Sequence, residues 1–185
     1  MSQSVELMAG TENLFVDVQW LKQFEQEPEI SLFSRTRATD DYENNVNLFS
    51  GVYLSYTSTS SFGGTVVGRM SSSGSGLDTG VHFFKGGPVF LIYALASLSL
   101  VNNSGFNWFS ITRFTPKIND SLNGFAGLEL FSSFNLEEHQ FSTQRVRAGL
   151  EKNLFQFGFA LNLSQSGDSF TSIETNPGIF FRTEF

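Results

Sequence analysis

Apolar and polar residues alternate with period two from one end of this chain to the other, and helical 3.6-residue spacing is nowhere sustained. Such a chain folds into sheet, each strand dividing its residues between two faces. From Leu154 to Gln165, the residues Phe155, Phe157, Phe159, Leu161 and Leu163 share one side, with Gln156, Gly158, Ala160 and Asn162 opposite. The last strand repeats the pattern, with Ile179, Phe181, Thr183 and Phe185 on one face and Gly178, Phe180, Arg182 and Glu184 on the other. This division suits a surface between oil and water, either the wall of a membrane barrel or a soluble sheet over a core.

Composition favours the membrane barrel. There are 22 Phe beside 4 Tyr, 2 Trp and 16% charged residues, yet mean hydropathy is only −0.08, so oil and polar groups are mixed by alternation and not in blocks. The best apolar stretch, Pro88 to Val101, is broken by Ser97 and Ser99 and falls short of the roughly 18 residues of a spanning helix. The absence of cysteine removes disulfide frameworks and thiolate metal sites. A net charge of −7 with no large basic cluster argues against nucleic acid as a partner. Met1 to Gly10 lacks the basic start and apolar centre of a secretory signal, so an outer-membrane location requires a leader that was removed or never included in this sequence.

The 185 residues make one domain, 1–185. An all-β, antiparallel transmembrane barrel of about twelve strands is expected, at 4–9, 14–22, 29–39, 46–57, 61–71, 77–84, 88–101, 106–115, 122–134, 140–151, 154–164 and 175–185, with ten as the alternative if 4–9 and a neighbour are dropped. Glu151-Lys152-Asn153, Lys85-Gly86-Gly87-Pro88 and the segment Pro116 to Asp120 read as short turns; Asp40 to Asn45, Ser71 to Gly76 and Ser164 to Ser172 read as longer polar connections. Counted back from the C-terminus the two kinds alternate, as in a barrel with brief periplasmic turns and longer outer loops. Lys22, Lys85, Lys117 and Lys152 all fall at the end assigned the short turns, whereas the arginines lie within strands.

Strand parity places Arg35, Arg37, Arg69, Glu129, Arg145, Arg147, Glu151 and Arg182, together with Glu184, on the polar face. Because unpaired charge is costly against lipid or a dry core, these residues are expected to line a lumen crossed by ion pairs. Arg113 and Asp17 fall between the two parities. Phe33, Phe49, Tyr53 and Phe131 share the lumenal parity and are bulky enough to plug a small barrel. Trp20, Tyr42, Tyr56 and Trp108, near strand ends, suit interface girdles.

The closing segment from Asn176-Pro177-Gly178 to Arg182-Thr183-Glu184-Phe185 resembles the last strand of small Gram-negative outer-membrane β-barrels, particularly those of Bacteroidetes-type bacteria. Arg145-Val146-Arg147-Ala148-Gly149-Leu150, a tight turn and Phe155-Gln156-Phe157-Gly158 extend the likeness over the last 40 or so residues. The resemblance implies that Phe185 is an assembly signal read by the barrel-assembly machinery, and it transfers no catalytic residue.

Catalytic chemistry has little to stand on. The only histidines are His82 and His139; His139 follows Glu137 and Glu138 and has Ser142 nearby, but no spacing links a serine to it. The acidic run Asp40-Asp41-Tyr42-Glu43 reads as a solvated loop, and no metal or cofactor is expected. The function expected is a passive pore with an Arg-rich lumen and mild anion preference. The alternatives are a closed structural or accessory barrel docking on a larger outer-membrane complex and, further off, a rim lipid-modifying enzyme. The expected partners are the lipid bilayer with its lipopolysaccharide and the assembly machinery.

Overall fold

The computed structural model describes residues 2–43, 45–72, 74–101, 105–135, 138–167, 170 and 172–185. Its strands are β1 (Ser2–Gly10), β2 (Leu14–Gln23), β3 (Ile30–Asp40), β4 (Val46–Thr57), β5 (Phe62–Ser71), β6 (Gly74–Gly86), β7 (Phe90–Ser99), β8 (Gly105–Phe114), β9 (Lys117–Asn119), β10 (Leu122–Asn135), β11 (His139–Lys152), β12 (Phe155–Ser166) and β13 (Ser172–Glu184). Each wall strand pairs antiparallel with its predecessor, and β1 closes on β13 from Ser4 opposite Glu184 to Gly10 opposite Gly178. The short β9 folds back only onto the start of β10, leaving a closed barrel of twelve wall strands. Closure leaves none of the twelve wall strands at a free edge, the condition for backbone in lipid.

Side chains divide as the alternation requires, but inside out relative to a soluble protein. Val81, Phe159 and Ile179 stand on the outer surface at 68, 77 and 61% exposure, while Glu6, Asp17, Arg35 and Arg147 are buried within. An apolar exterior around a charged interior is favourable only with lipid outside. Aromatic residues gather on the outer surface toward both strand ends. Phe62 meets Phe83 at 5.1 Å and Phe155 meets Phe181 at 5.5 Å at the end bearing the termini, and Phe106 meets Phe134 at 6.3 Å at the opposite end. Tyr42 lies in a connection, at φ 63°, and its hydroxyl donates to the Gly10 carbonyl at 2.9 Å.

We call the end bearing Ser2 and Phe185 the near end. Its connections, 24–29, 58–61, 87–89, 115–121 and 153–154, are short, and the lysines sit in or beside them. The far-end connections, 11–13, 41–45, 72–73, 100–104, 136–138 and 167–171, are no longer. Of the residues read as loop, Ser71, Gly74, Ser75 and Gly76 instead continue the ladder of β5 with β6, and Ser164, Gln165, Ser166 and Ser172 that of β12 with β13, because these small or polar residues do not break backbone pairing.

The seam is fastened by Asn176. Its Oδ1 accepts from the Glu12 and Asn13 amides at 3.0 and 3.3 Å, and its Nδ2 donates to the Asn13 carbonyl at 3.1 Å. This crossing needs bare backbone beside it: a Cβ on Gly10 would lie 2.0 Å from Asn176 Oδ1, and one on Gly178 would lie 2.2 Å from the Ala9 carbonyl. Phe185 completes the seam by exchanging backbone hydrogen bonds with Gln3, both at 3.0 Å, and its side chain is exposed.

The barrel interior as candidate functional site

Hairpin register brings the first charges together. Asp17 on β2 lies opposite Arg37 on β3, with Arg35 opposite Gln19, while Glu129 on β10 lies opposite Arg145 on β11. Arg35 Nε donates to both Asp17 oxygens at 2.9 Å, and Arg35 Nη2 pairs with Asp17 and, at 2.7 Å, with Glu129. Glu129 also takes Arg37 and, at 2.6 Å, Arg145. Since β3 and β10 are not neighbours in the sheet, these contacts form a belt across the lumen. The Arg35 and Asp17 side chains are 3% and 1% exposed, so water has no wide path between them.

Toward the near end the pairing thins. Arg147 reaches Glu6 at 2.8 Å and Asn162 at 2.9 Å. Arg182 donates to Ser4 at 2.9 Å and Glu184 at 3.0 Å, whereas Arg113 finds only Gln19 at 3.3 Å and Glu184 at 3.5 Å. Among the described residues, Arg35 Nη1 and the Nε atoms of Arg37, Arg145 and Arg182 are buried without a hydrogen-bond partner. Guanidinium groups outnumber carboxylates here: Arg35, Arg37, Arg113, Arg145, Arg147 and Arg182 face Glu6, Asp17, Glu129 and Glu184.

Two residues placed on the polar face by parity stand apart from the belt. Arg69 bonds Asp78 at 3.0 Å toward the far end, within a group that includes Ser99 and Asn107. Glu151 accepts from Asn123 at 3.0 Å and Gln156 at 2.7 Å near the turn that follows β11. Glu6, Asp17, Gln19 and Arg113 are belt members that parity alone did not select; the signal for Asp17 was its position opposite Arg37 in a hairpin.

Apolar groups fill the interior on either side. Met8, Phe15, Phe125, Ala160 and Phe180 form one cluster, with Arg145 lying over Phe15 at 4.7 Å and Arg147 over Phe180 at 5.8 Å. Tyr53, Val67, Leu95 and Phe109 form the second, packed with Phe33, Tyr93, Ile111 and Phe131. Beside this second cluster lies a cavity of about 420 Å³, which reaches the near-end residues Pro28, Glu29, Ser58 and Thr59 and is floored by Gln19, Arg113 and Arg182.

His139 does meet a serine, on the outer surface near the far end. Its Nε2 lies 2.8 Å from Ser142 Oγ, which is also 2.8 Å from Ser132 Oγ, and its Nδ1 lies 3.0 Å from the Gly167 carbonyl. Phe170 stacks on the imidazole at 3.8 Å, and His139 and Ser142 are 5% and 4% exposed. The group ties the irregular end of the β10–β11 ladder to the following connection; no carboxylate joins it among the described residues. His82 is held inside by Thr57 at 2.8 Å and Thr65 at 2.7 Å. Asp40 and Asp41 accept from amides of their own connection.

The described residues form a closed, twelve-stranded antiparallel barrel without helix, and that architecture is what comparison with solved structures returns. No protein-family model matches the sequence, and no curated protein does. Among solved structures the chain is similar to the KdgM porin in complex with disordered oligogalacturonate, at TM-score 0.60 and 10% identity over 100% of this chain and 99% of that one. It is also similar to the NanC porin, at TM-score 0.57 and 7% identity over 98% of each, and to LpxR from Salmonella typhimurium, at 0.56 and 8% over 99% of each. At these identities the likeness is one of fold.

Proposed function

We propose that the chain is an outer-membrane barrel that passes small anions through its guanidinium belt, a non-enzymatic conduit with the near end in the periplasm. The observation that carries this reading is the belt's shortage of negative charge: guanidinium groups outnumber carboxylates, and among the described residues buried donors of Arg35, Arg37, Arg145 and Arg182 lack a hydrogen-bond partner. A passing anion supplies what the fixed carboxylates do not, in a passage where low dielectric strengthens the attraction. Similarity to porins, one crystallised with an acidic oligosaccharide, is consistent with that use. Recognition of Phe185 by assembly machinery belongs to the same reading and is supported by the exposure of its ring at the seam; a Bacteroidetes-type source rests on the resemblance of the closing motif alone. Conduction requires the belt's long side chains to move, so each open event is small.

The packed interior favours a second reading, a closed barrel that acts structurally or docks on a larger outer-membrane complex. Recording from purified protein in a planar bilayer under a salt gradient separates the two. Small stepwise currents with an anion-leaning reversal potential, weakened in Arg145→Gln and Arg147→Gln, support the conduit. An inserted barrel that stays silent overturns it in favour of the closed form.

A further inference from the structure

We propose that the near-end cavity is a binding site for a small monocarboxylic acid with a flat apolar body. The inference takes the outer-membrane barrel reading as its basis and names a ligand for the passage proposed above, yet binding there does not require the belt to open. At about 420 Å³ the cavity falls in the range of small-molecule sites, roughly 300–1,000 Å³.

The cavity's floor asks for an anion. Arg113 and Arg182 both line it, and both depend on one carboxylate, Glu184, at 3.5 and 3.0 Å. Two guanidinium groups thus share the hydrogen bonds of one carboxylate, and the acid that itself lines the cavity, Glu29, lies toward its near-end mouth. The Arg113 contacts are long beside the roughly 2.7–2.9 Å of well-made charged hydrogen bonds. Arg182, with a side chain only 6% exposed, keeps its Nε buried without a partner. A ligand carboxylate matches the planar fork of a guanidinium and completes this pairing.

The cavity's walls ask for something flat and apolar. Phe33, Tyr53, Phe109 and Tyr93 follow one another at ring separations of 5.4, 6.2 and 6.0 Å, with Ile111 beside them. Several polar wall groups pair with one another: Ser55 and Thr65 hydroxyls lie 2.9 Å apart, and His82 is held between Thr65 and Thr57. Among the described residues that line the cavity, the buried donor without a hydrogen-bond partner is Arg182 Nε, at the cationic floor, which sets the ligand with its carboxylate down and its ring among the aromatics. A hydrophilic, many-hydroxyl acid would leave its hydroxyls unpaired against these rings. The aromatic wall thus favours an aryl acid over a sugar acid.

The test uses the refolded full chain in detergent, with folding read by heat-modifiable migration and binding by fluorine NMR of 4-fluorobenzoate. Saturable binding is expected, displaced by benzoate and absent for 4-fluorobenzyl alcohol, the neutral counterpart. Arg113→Gln should weaken it by at least about tenfold, since a charged hydrogen bond is lost. If that variant does not fold, Ile111→Trp fills the cavity while keeping its charge and should abolish binding. Lack of saturation, equal binding of the alcohol, or unchanged affinity in a folded variant overturns the site. The bilayer recording is a separate outcome: bound benzoate in a silent barrel retains this site and removes the conduit, while anion current without benzoate binding does the reverse.

Discussion

The two sides of the interior are built from similar rings and end differently. On one, Met8 and Phe15 are 0 and 1% exposed, and Arg145 and Arg147 lie across Phe15 and Phe180, so that cations close the space above the rings. On the other, Tyr53, Tyr93 and Phe109 face a hollow, and Arg113 lies at its floor with long contacts to Gln19 and Glu184. The difference is one of carboxylate supply. Glu129, Asp17 and Glu6 hold four arginines in place over the first side, whereas Glu184 alone serves Arg113 and Arg182. Closure of the lumen follows the distribution of acids more than that of apolar bulk.

Removing the shared acid should break this contrast most severely. Glu129→Leu leaves Arg35, Arg37 and Arg145 converging without the carboxylate they share, and breaking a buried pair of this kind costs about 3–5 kcal/mol. The expected result is a clear fall in the urea midpoint for unfolding, with larger currents from whatever folded fraction inserts. A midpoint equal to that of the parent would show that the belt does not hold the lumen closed.

Truncation of the rings compares the two sides more finely. Phe15→Ala removes a fully enclosed ring and should cost about 3–4 kcal/mol, from lost transfer energy plus a new void. Ile111→Ala, on a half-buried residue beside existing space, should cost no more than about 1.5 kcal/mol. Equal losses in urea unfolding would mean that the second side is as tightly filled as the first.

The barrel was legible because alternation is a local property. Every segment expected as a strand became one, and the closing segment that ends at Phe185 closes the sheet. The belt was legible only in part, since parity says which face a charge takes but not what lies across the lumen. Arg35 and Glu129 share a face by parity, yet their contact depends on how a closed sheet brings β3 opposite β10. Arg113 could not be placed because Phe106 and Phe114 on one parity compete with Phe109 and Ile111 on the other; the pairing of Arg113 with Leu91 on β7 and Gly127 on β10 settles the face. Connection lengths were misread for a related reason: Ser and Gly look like loop residues, but a neighbouring strand supplies the hydrogen bonds that keep them extended.

The smallest expected effect lies outside the barrel wall, in the far-end connection 41–45, and provides an exposed carboxylate for comparison with those of the belt. Asp41 accepts from the Asn45 side chain at 2.7 Å and from the Glu43 and Asn45 amides at 2.9 and 3.1 Å. These bonds, the Asn45 side chain foremost, hold its carboxyl below the ordinary carboxylate value. A lowered folded value means that the ionised acid supports the connection above the usual aspartate pKa of about 3.9, and that this support is lost as pH falls through the lowered value. The Asn45 amide and side-chain NMR signals should therefore shift on acidification with a midpoint below that of a free aspartate. Asp41→Asn should abolish the pH dependence while leaving the urea midpoint unchanged, because a fully exposed group contributes little to global stability. A matching pH-dependent change in lumenal signals would mean that the connection and the interior are coupled.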